Sequence, residues 1–440
     1  MKRRRLVGCL AGVAILALAG YQVFRPHIAT ASVRELEEVC PADLVRPIAI
    51  DVQGQARYKR VLELAKRFID NESGPRRRSV PDAKNLGLLE QELAAVLGSG
   101  TLQRPIDRGD DFDTELHPLA TFATAIGADA WAALKAGQAR RCVNLLALGQ
   151  QLAGRVKNAR GTQIAYIVMS SLDTIASNAI VRCMRTGKLS QSDLRELIAA
   201  IPPGQSSDEV LFDDWAIDFQ TNILPMLGHF QEVRKELAMI YQEEYNPRAA
   251  VVGSYDAKDT AEILGAVYHV GQENATRGWR AQDQSDVQIV TRQKGRLPYD
   301  GNRPDGNGLS QVVYELEMNA IPNSIGSQLI AVGLGVSSIR RTSLVTETRH
   351  DIVRTLLALA IYRMRHGGSP APDLAALVSD GELPKAPTDW FSLGPLRYIV
   401  QRGLVYTVGP EDVDEGPRIL RDGWTPHHNF GMFLDEPKNH

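Results

Sequence analysis

The sequence predicts a mainly α-helical protein. Its body should be built of helical hairpins, either solenoid-like or an irregular bundle. A small C-terminal α+β module should follow, with a β-hairpin packed on a long helix. Three observations predict this. Aromatic residues make up only 6% of the chain while Ala and Leu abound, a balance that favours helix over sheet. Apolar residues recur at helical spacing through much of the chain. Strand-like alternation stands out in one stretch, 396–408, around a Gln-Arg-Gly turn.

A chain of 440 residues is too long for one ordinary core, so two or three packing units are expected. The composition is globular, with 44% apolar and 23% charged residues and a net charge of −2. Duplex binding needs a surplus of Lys and Arg, so nucleic acid is not expected as a partner.

The chain opens "MKRRRLVGCLAGVAILALAGYQVF". Four basic residues, Lys2 to Arg5, precede an uncharged run from Leu6 to Phe24, close to the roughly 20 residues that span a bilayer. Residues 1–25 are therefore read as a signal anchor or signal peptide. As an anchor they place the chain in the inner membrane through one N-terminal span, with the bulk periplasmic. Ala17-Leu18-Ala19 is also a small-residue cleavage pattern, and cleavage after Ala19 would give a secreted or periplasmic protein. "LVGC" at 6–9 has a lipoprotein-box pattern but lacks the apolar region that should precede Cys9. Beyond it stand Cys40, Cys142 and Cys183, an odd number and no disulfide framework. Cys142 and Cys183 fall on predicted helices and are read as small buried hydrophobes, with a bridge as the alternative.

The helical body is expected over 33–340. Residues 33–72 open it, with Leu62, Leu64, Ala65 and Phe68 as an apolar stripe. Residues 73–85 form a polar loop with Arg76, Arg77 and Arg78 on the surface. Between 128 and 201 the pattern gives an antiparallel helix pair and a third helix. Trp131, Leu134, Val143, Leu145, Leu146, Leu148 and Leu152 supply its apolar positions. Gly187 ends the second of these helices, "SQSD" at 190–193 caps the third, and Pro202-Pro203 stops it. The hairpins resemble those of tetratricopeptide-type solenoids, but no 34-residue self-similarity is present. Helices continue through 207–245, with a break or kink at Pro225, and through 257–275. Residues 276–310 turn polar and carry turn signals at Asp300-Gly301 and Asp305-Gly306. So long a loop reads as a flap or a functional loop. Residues 323–339 are strongly apolar but Gly- and Ser-rich, which reads as a buried core helix. Residues 344–368 form a long amphipathic helix with Ile352, Leu356, Leu359, Ala360 and Met364 on one face, ended by Gly367-Gly368.

The chain contains no P-loop, G-x-S-x-G, H-E-x-x-H or dinucleotide fingerprint. His350 and Asp351 are adjacent, but neighbours on a helix point about 100° apart, so they are not a dyad. His427-His428 reads as part of a turn. Asp213, Asp214 and Asp218 read as a solvated helical face, with a carboxylate pair for acid/base work as the alternative.

The module at 344–436 has a specific order. Tyr362 and Gly367 close the long helix. Asp389, Phe391, Pro395 and Tyr398 mark a turn. Tyr406, Gly409, Asp412 and Asp414 end the hairpin. This resembles the periplasmic module of the major type II secretion pseudopilins, over roughly 346–418. The resemblance implies an acidic loop that binds calcium in that family. Here Asp389, Asp412, Asp414 and Glu415 are the candidate ligands, since calcium needs about six oxygens. The alternative is that the acids stabilise the loop, with Arg418 and Arg421 as partners. Pseudopilins carry their anchor directly before the module, whereas some 300 residues intervene here, so assembly as a pilin subunit is not expected. The order of anchor, helical body, "N-x-I-G" and module looks like a group of bacterial exported proteins from which no activity carries over. The expectation is a non-catalytic cell-envelope protein with a binding or scaffolding role toward a protein or peptide. The alternative is a periplasmic hydrolase using an acidic cleft in the body. No cofactor is implied apart from calcium.

Overall fold

The computed structural model describes residues 27–72, 83–105, 112–159, 161, 163–202, 208–244, 253–275, 285–294, 318, 320–331, 336–409, 414–419, 421–424 and 429–436. The fold is mainly helical with small sheets. The first helices are α1 (Val33–Glu37), α2 (Val52–Glu72), α3 (Ala83–Gly98), α4 (Phe112–Lys135), α5 (Ala139–Lys157), α6 (Gln163–Met184), α7 (Gln191–Ala200) and α8 (Asp208–Asp218). A π-helical turn, Phe219–Ile223, leads to α9 (Leu224–Gly228), α10 (Phe230–Glu244), α11 (Ala257–Ala275) and α12 (Ser285–Lys294). The last are α13 (Ser324–Ala331), α14 (Val336–Arg365) and α15 (Ala375–Ser379).

The expected membrane span is corrected. Among the described residues no helix is long and apolar enough to cross a membrane, and residues 1–25, on which the signal anchor and inner-membrane placement rested, lie outside them. The longest helix, α14, carries Arg349, Asp351, Arg354, Arg363 and Arg365, charges that hydrocarbon would have to desolvate.

The chain divides into two units that do not follow chain order. One holds residues 1–47, 218–271 and 284–336. The other holds 48–217, 272–283 and 337–440. The stretch 33–340, expected as one helical body, supplies segments to both.

The larger unit is built on α4, α5 and α6, which pack on one another, with α2 against α3 and α4 and with α7 against α5. Their apolar stripes meet in one core that includes Phe122, Val143, Leu146, Met169 and Ile180, and α14 adds Ile352, Val353, Leu356 and Leu359. The predicted punctuation is present. Ser190 accepts from the Asp193 N–H while the Asp193 carboxylate accepts from the Ser190 N–H, a full capping box. Gly187 has φ +66°, and Gly367 and Gly368, at +62° and +93°, end the α14 segment.

After α14 come α15, the paired β3 (Thr388–Asp389) and β4 (Gly394–Pro395), and a four-stranded sheet. The sheet's strands are β5 (Arg397–Ile399), β6 (Leu404–Tyr406), β7 (Gly423–Trp424) and β8 (Phe430–Phe433), in the order β5-β6-β8-β7 and antiparallel throughout. The expected hairpin is β5–β6, turned through Gly403 at φ +57°. Two strands alone are marginal in water; the tail supplies two more, which the sequence reading left unassigned. Alternation then covers both faces of β6. Val405, with Phe430 and Met432, enters the main helical core, while Leu404 and Tyr406 meet Ile419 and Phe433 in a second small core.

The smaller unit pairs β1 (Ile28–Ala29) with β2 (Tyr255–Asp256) in parallel and buries Leu36, Phe219, Leu227, Tyr255 and Tyr268. Pro225, expected to break or kink the chain, sits in the first turn of α9, directly after the π turn that interrupts the regular helix. The "N-x-I-G" stretch is a structural latch. Asn323 adopts φ +53°, and its Oδ1 accepts from the Asp256 N–H at 2.9 Å and the Thr260 hydroxyl at 3.1 Å. Gly326 lies so close to Thr260 and Asn323 that a Cβ there would collide with both. The apolar run 323–339 divides into α13 and the start of α14, with 332–335 outside the described residues. Within the polar excursion 276–310, α12 is helical; its other residues lie outside the described ones.

Candidate functional site

The buried stripe of α5 runs Val143, Leu146, Gln150, Ala153, Lys157, so two of its inward positions are polar. On α6 the stripe Tyr166, Met169, Asp173, Ala176, Ile180 carries a carboxylate, and on α14 His350 stands in line with Val353 and Leu357. Helix packing therefore gathers four polar side chains in the interior of the larger unit. Asp173 is 0% exposed. Its Oδ2 lies 3.3 Å from the Lys157 ammonium. Its Oδ1 accepts from Gln150 Nε2 at 3.2 Å and lies 3.2 Å from His350 Nε2. With Asp173 ionised, the Gln150 amide and the His350 ring both aim a proton at it, which places the His350 proton on Nε2.

Burial alone would push the Asp173 carboxyl up, but the Lys157 ammonium and then His350 outweigh it and hold it well below the usual carboxylate range. Burial likewise opposes the Lys157 charge, and Asp173 more than restores it, keeping the ammonium above its ordinary value. Beside this centre, the Arg349 guanidinium is pushed down to about 10 by burial, against the pull of Asp173. It donates to Thr174 and lies 5.0 Å over the Phe430 ring.

Gln150 also lines a cavity of about 550 Å³ in the same unit. The cavity is bounded by the C-terminal half of α5, by residues 101–103 and by the end of α7. Its polar lining comes from Asp51, Thr101, Gln103, Gln150, Gln151 and Asn158, with Arg155 beside them. Asp51 is anchored: Oδ1 accepts from the Gly54 N–H at 2.8 Å and Oδ2 from the Thr101 hydroxyl at 3.0 Å. These hydrogen bonds hold its carboxyl below the usual range. Gln103 donates to the Ala49 carbonyl at 2.9 Å. Gln150 differs, because its Oε1 is buried and has no partner among the described residues. A buried amide oxygen without a donor is costly, and native structures pair almost all of them.

The residues singled out from the sequence lie elsewhere. Asp389 is 1% exposed and accepts from the Phe391 N–H at 3.1 Å, the Thr407 hydroxyl at 2.7 Å and the Val408 N–H at 3.2 Å. It ties the 388–395 turn to the hairpin end. Asp414 accepts from the Tyr406 hydroxyl at 2.9 Å and the Gly416 N–H at 3.0 Å, and Glu415 pairs with Arg418 at 3.2 Å. Asp412 and His427-His428 lie outside the described residues. Among the described residues no three His, Cys, Asp or Glu side chains stand close enough to hold a metal ion. The solvated face expected on α8 is corrected. Asp214 is buried and accepts from the Gly161 N–H at 2.8 Å. Asp218 is buried too, accepting from Asn222 at 2.8 Å and from the Tyr268 hydroxyl at 3.3 Å, and burial pushes its carboxyl up.

His350 and Asp173 have the arrangement of a base and its orienting carboxylate. His350 is 1% exposed, and with its proton on Nε2 it donates to Asp173, while the Gln150 amide nitrogen lies 3.2 Å from the same ring nitrogen as a neighbouring donor; no hydroxyl or thiol among the described residues hydrogen-bonds to it. Compared with known proteins, the chain matches no family model, no curated protein and no solved structure, so the pseudopilin resemblance rests on its motifs alone.

Proposed function

We propose that the protein is a non-catalytic binding protein that takes a small molecule in the cavity of its larger unit. One observation carries the reading: a cavity whose surface is mostly apolar, with a few polar groups from Asp51, Thr101, Gln103, Gln151 and Asn158 set into it. A volume of about 550 Å³ lies within the roughly 300–1,000 Å³ of small-molecule sites, and a few placed polar groups are what give such sites orientation. A ligand with an apolar body and groups that hydrogen-bond Gln151 and Asn158 fits this lining. Binding is favoured over hydrolysis because His350 and Asp173 are both buried and hydrogen-bond to no hydroxyl or thiol among the described residues.

Gly154 provides the test. It lines the cavity on α5, and a Cβ there would meet nothing within 4 Å. Gly154→Phe therefore grows into open space, and losing a mid-helix glycine favours the helix. Ligand-observed saturation-transfer NMR with a library of small amides, polyols and amino acids should give hits on the wild type. Those hits should vanish in Gly154→Phe at an unchanged melting temperature. The reading is wrong if the wild type binds no member of the library, or if Gly154→Phe binds the same members equally well.

A further inference from the structure

The thiols of Cys142 and Cys183 were read from the sequence as separate buried hydrophobes, yet the packing of α5 on α6 places them together. The two helices are consecutive, joined by a short connection, and antiparallel. The register that sets Gln150 beside Asp173 at 3.2 Å carries Cys142, two turns back along α5, to the level of Cys183, almost three turns on along α6. The remaining offset is about 3 Å of helix rise. Both thiols are buried, Cys142 at 0% and Cys183 at 1%, and both belong to the same core. Each is the other's side-chain partner.

Their surroundings differ. Contact with Cys183, then burial and the Asp193 carboxylate, push the Cys142 thiol up. Contact with Cys142 and the nearby Arg182 guanidinium pull the Cys183 thiol down against burial. Arg182 is itself held 4.2 Å over the Trp131 ring. With the Arg182 guanidinium near Cys183 and the Asp193 carboxylate near Cys142, a negative charge is better placed on the Cys183 sulfur. Cys40 stands apart in the smaller unit: its Sγ lies 3.7 Å from the Ala261 carbonyl, and burial pushes its thiol up to about 12.

We propose that Cys142 and Cys183 are an oxidisable pair that closes to an intrachain disulfide under peroxide. The Cys183 thiolate attacks one oxygen of hydrogen peroxide; the O–O bond breaks, a sulfenic acid forms and hydroxide leaves. The Cys142 sulfur then attacks the Cys183 sulfur and the S–O bond breaks. The Cys142 proton and the leaving hydroxide end as water. In sum two thiols and one peroxide give one disulfide and two waters, with both sulfurs oxidised and both peroxide oxygens reduced. The bridge would staple the two helices that carry Gln150, Lys157 and Asp173.

The test uses the full chain. Native protein is exposed to millimolar hydrogen peroxide, quenched with catalase, denatured, treated with N-ethylmaleimide and mapped by peptide mass. The expected result is one joined peptide containing Cys142 and Cys183, lighter by two hydrogens and restored by dithiothreitol. In Cys142→Ser, and separately in its counterpart at Cys183, no joined peptide forms, and Cys142→Ser leaves a sulfenic acid at Cys183 that dimedone traps. The proposal is overturned if both thiols of the peroxide-treated wild type react with maleimide, or if they oxidise independently to sulfinic or sulfonic acids. The wild-type map decides without any variant having to fold.

Discussion

Lys157→Met tests whether the buried polar centre is organised around a compensated charge. Lys157 and Asp173 have side-chain exposures of 4% and 0%, so water does not screen the pair. Methionine keeps the length and apolar stem of lysine but removes the ammonium, leaving the Asp173 carboxylate with the Gln150 and His350 hydrogen bonds and the Arg349 guanidinium nearby. Removing one partner of a buried pair costs about 3–5 kcal/mol. At roughly 2 °C per kcal/mol for a unit of this size, the melting temperature should fall by about 6–10 °C near neutral pH. The pH dependence gives a second, independent reading. In the wild type, the depressed Asp173 contributes stability that is present above about pH 4 and is lost as pH falls through its folded value. In Lys157→Met, protonating Asp173 relieves an uncompensated charge instead. The deficit between variant and wild type should therefore shrink in acid. Thermal melts followed by circular dichroism near neutrality and at about pH 3 supply the comparison. The double variant Lys157→Met/Asp173→Leu, with no charge left to compensate, should recover most of the loss. A loss under about 1 kcal/mol, or a deficit that stays constant into acid, would refute the reasoning.

Two further predictions concern carboxylates with different surroundings. Burial, then the Asp129 carboxylate, push Glu90 up to about 7, with Arg141 opposing. Its folded form then holds a proton that its unfolded form releases near 4.5, so this group should lower stability as pH rises from about 4.5 to about 7. Urea midpoints across that range should slope less in Glu90→Gln, and an unchanged slope would assign the effect to another group. Asp389→Ala leaves the Phe391 and Val408 N–H groups and the Thr407 hydroxyl without their acceptor, at a cost of about 1–3 kcal/mol or more. Fragment binding in the cavity should survive it, and a midpoint within about 0.5 kcal/mol of wild type would show that the turn does not depend on this carboxylate.

The parts of the fold that the sequence announced are those whose signals are local. The Ser190–Asp193 capping box, the glycines at 187, 367, 368 and 403, and helix 257–275 each depend on residues within one or two turns. The strands at Gly423–Trp424 and Phe430–Phe433 were missed because they are short and gain their stability from β6, not from their own pattern. Asp214 and Asp218 looked solvated because their answering donors come from residues 161, 222 and 268. The candidate centre was hidden for the same reason. His350 was set aside because Asp351 cannot pair with it, while its real partner is 177 residues away. A usable signal did exist. Gln150, Lys157, Asp173 and His350 each occupy a position that helical spacing assigns to the core, among apolar neighbours on the same face. A polar residue on a buried stripe implies a partner on another stripe, even where sequence cannot name it.

Gln150 links the two features on which the functional reading depends. A Lys–Asp pair in a helical core needs its remaining hydrogen-bonding capacity satisfied, and the His350 ring already supplies one proton to Asp173. Gln150 supplies another through its amide nitrogen, which fixes the direction of the amide and turns the carbonyl oxygen away from Asp173. That orientation is set by a charge in the interior, not by solvent or by rotamer preference. The same fixed geometry gives the centre a role that packing alone would not require, because leucine would fill the position at lower desolvation cost. On this reasoning the buried charges hold Gln150, and with it one wall of the cavity, in place.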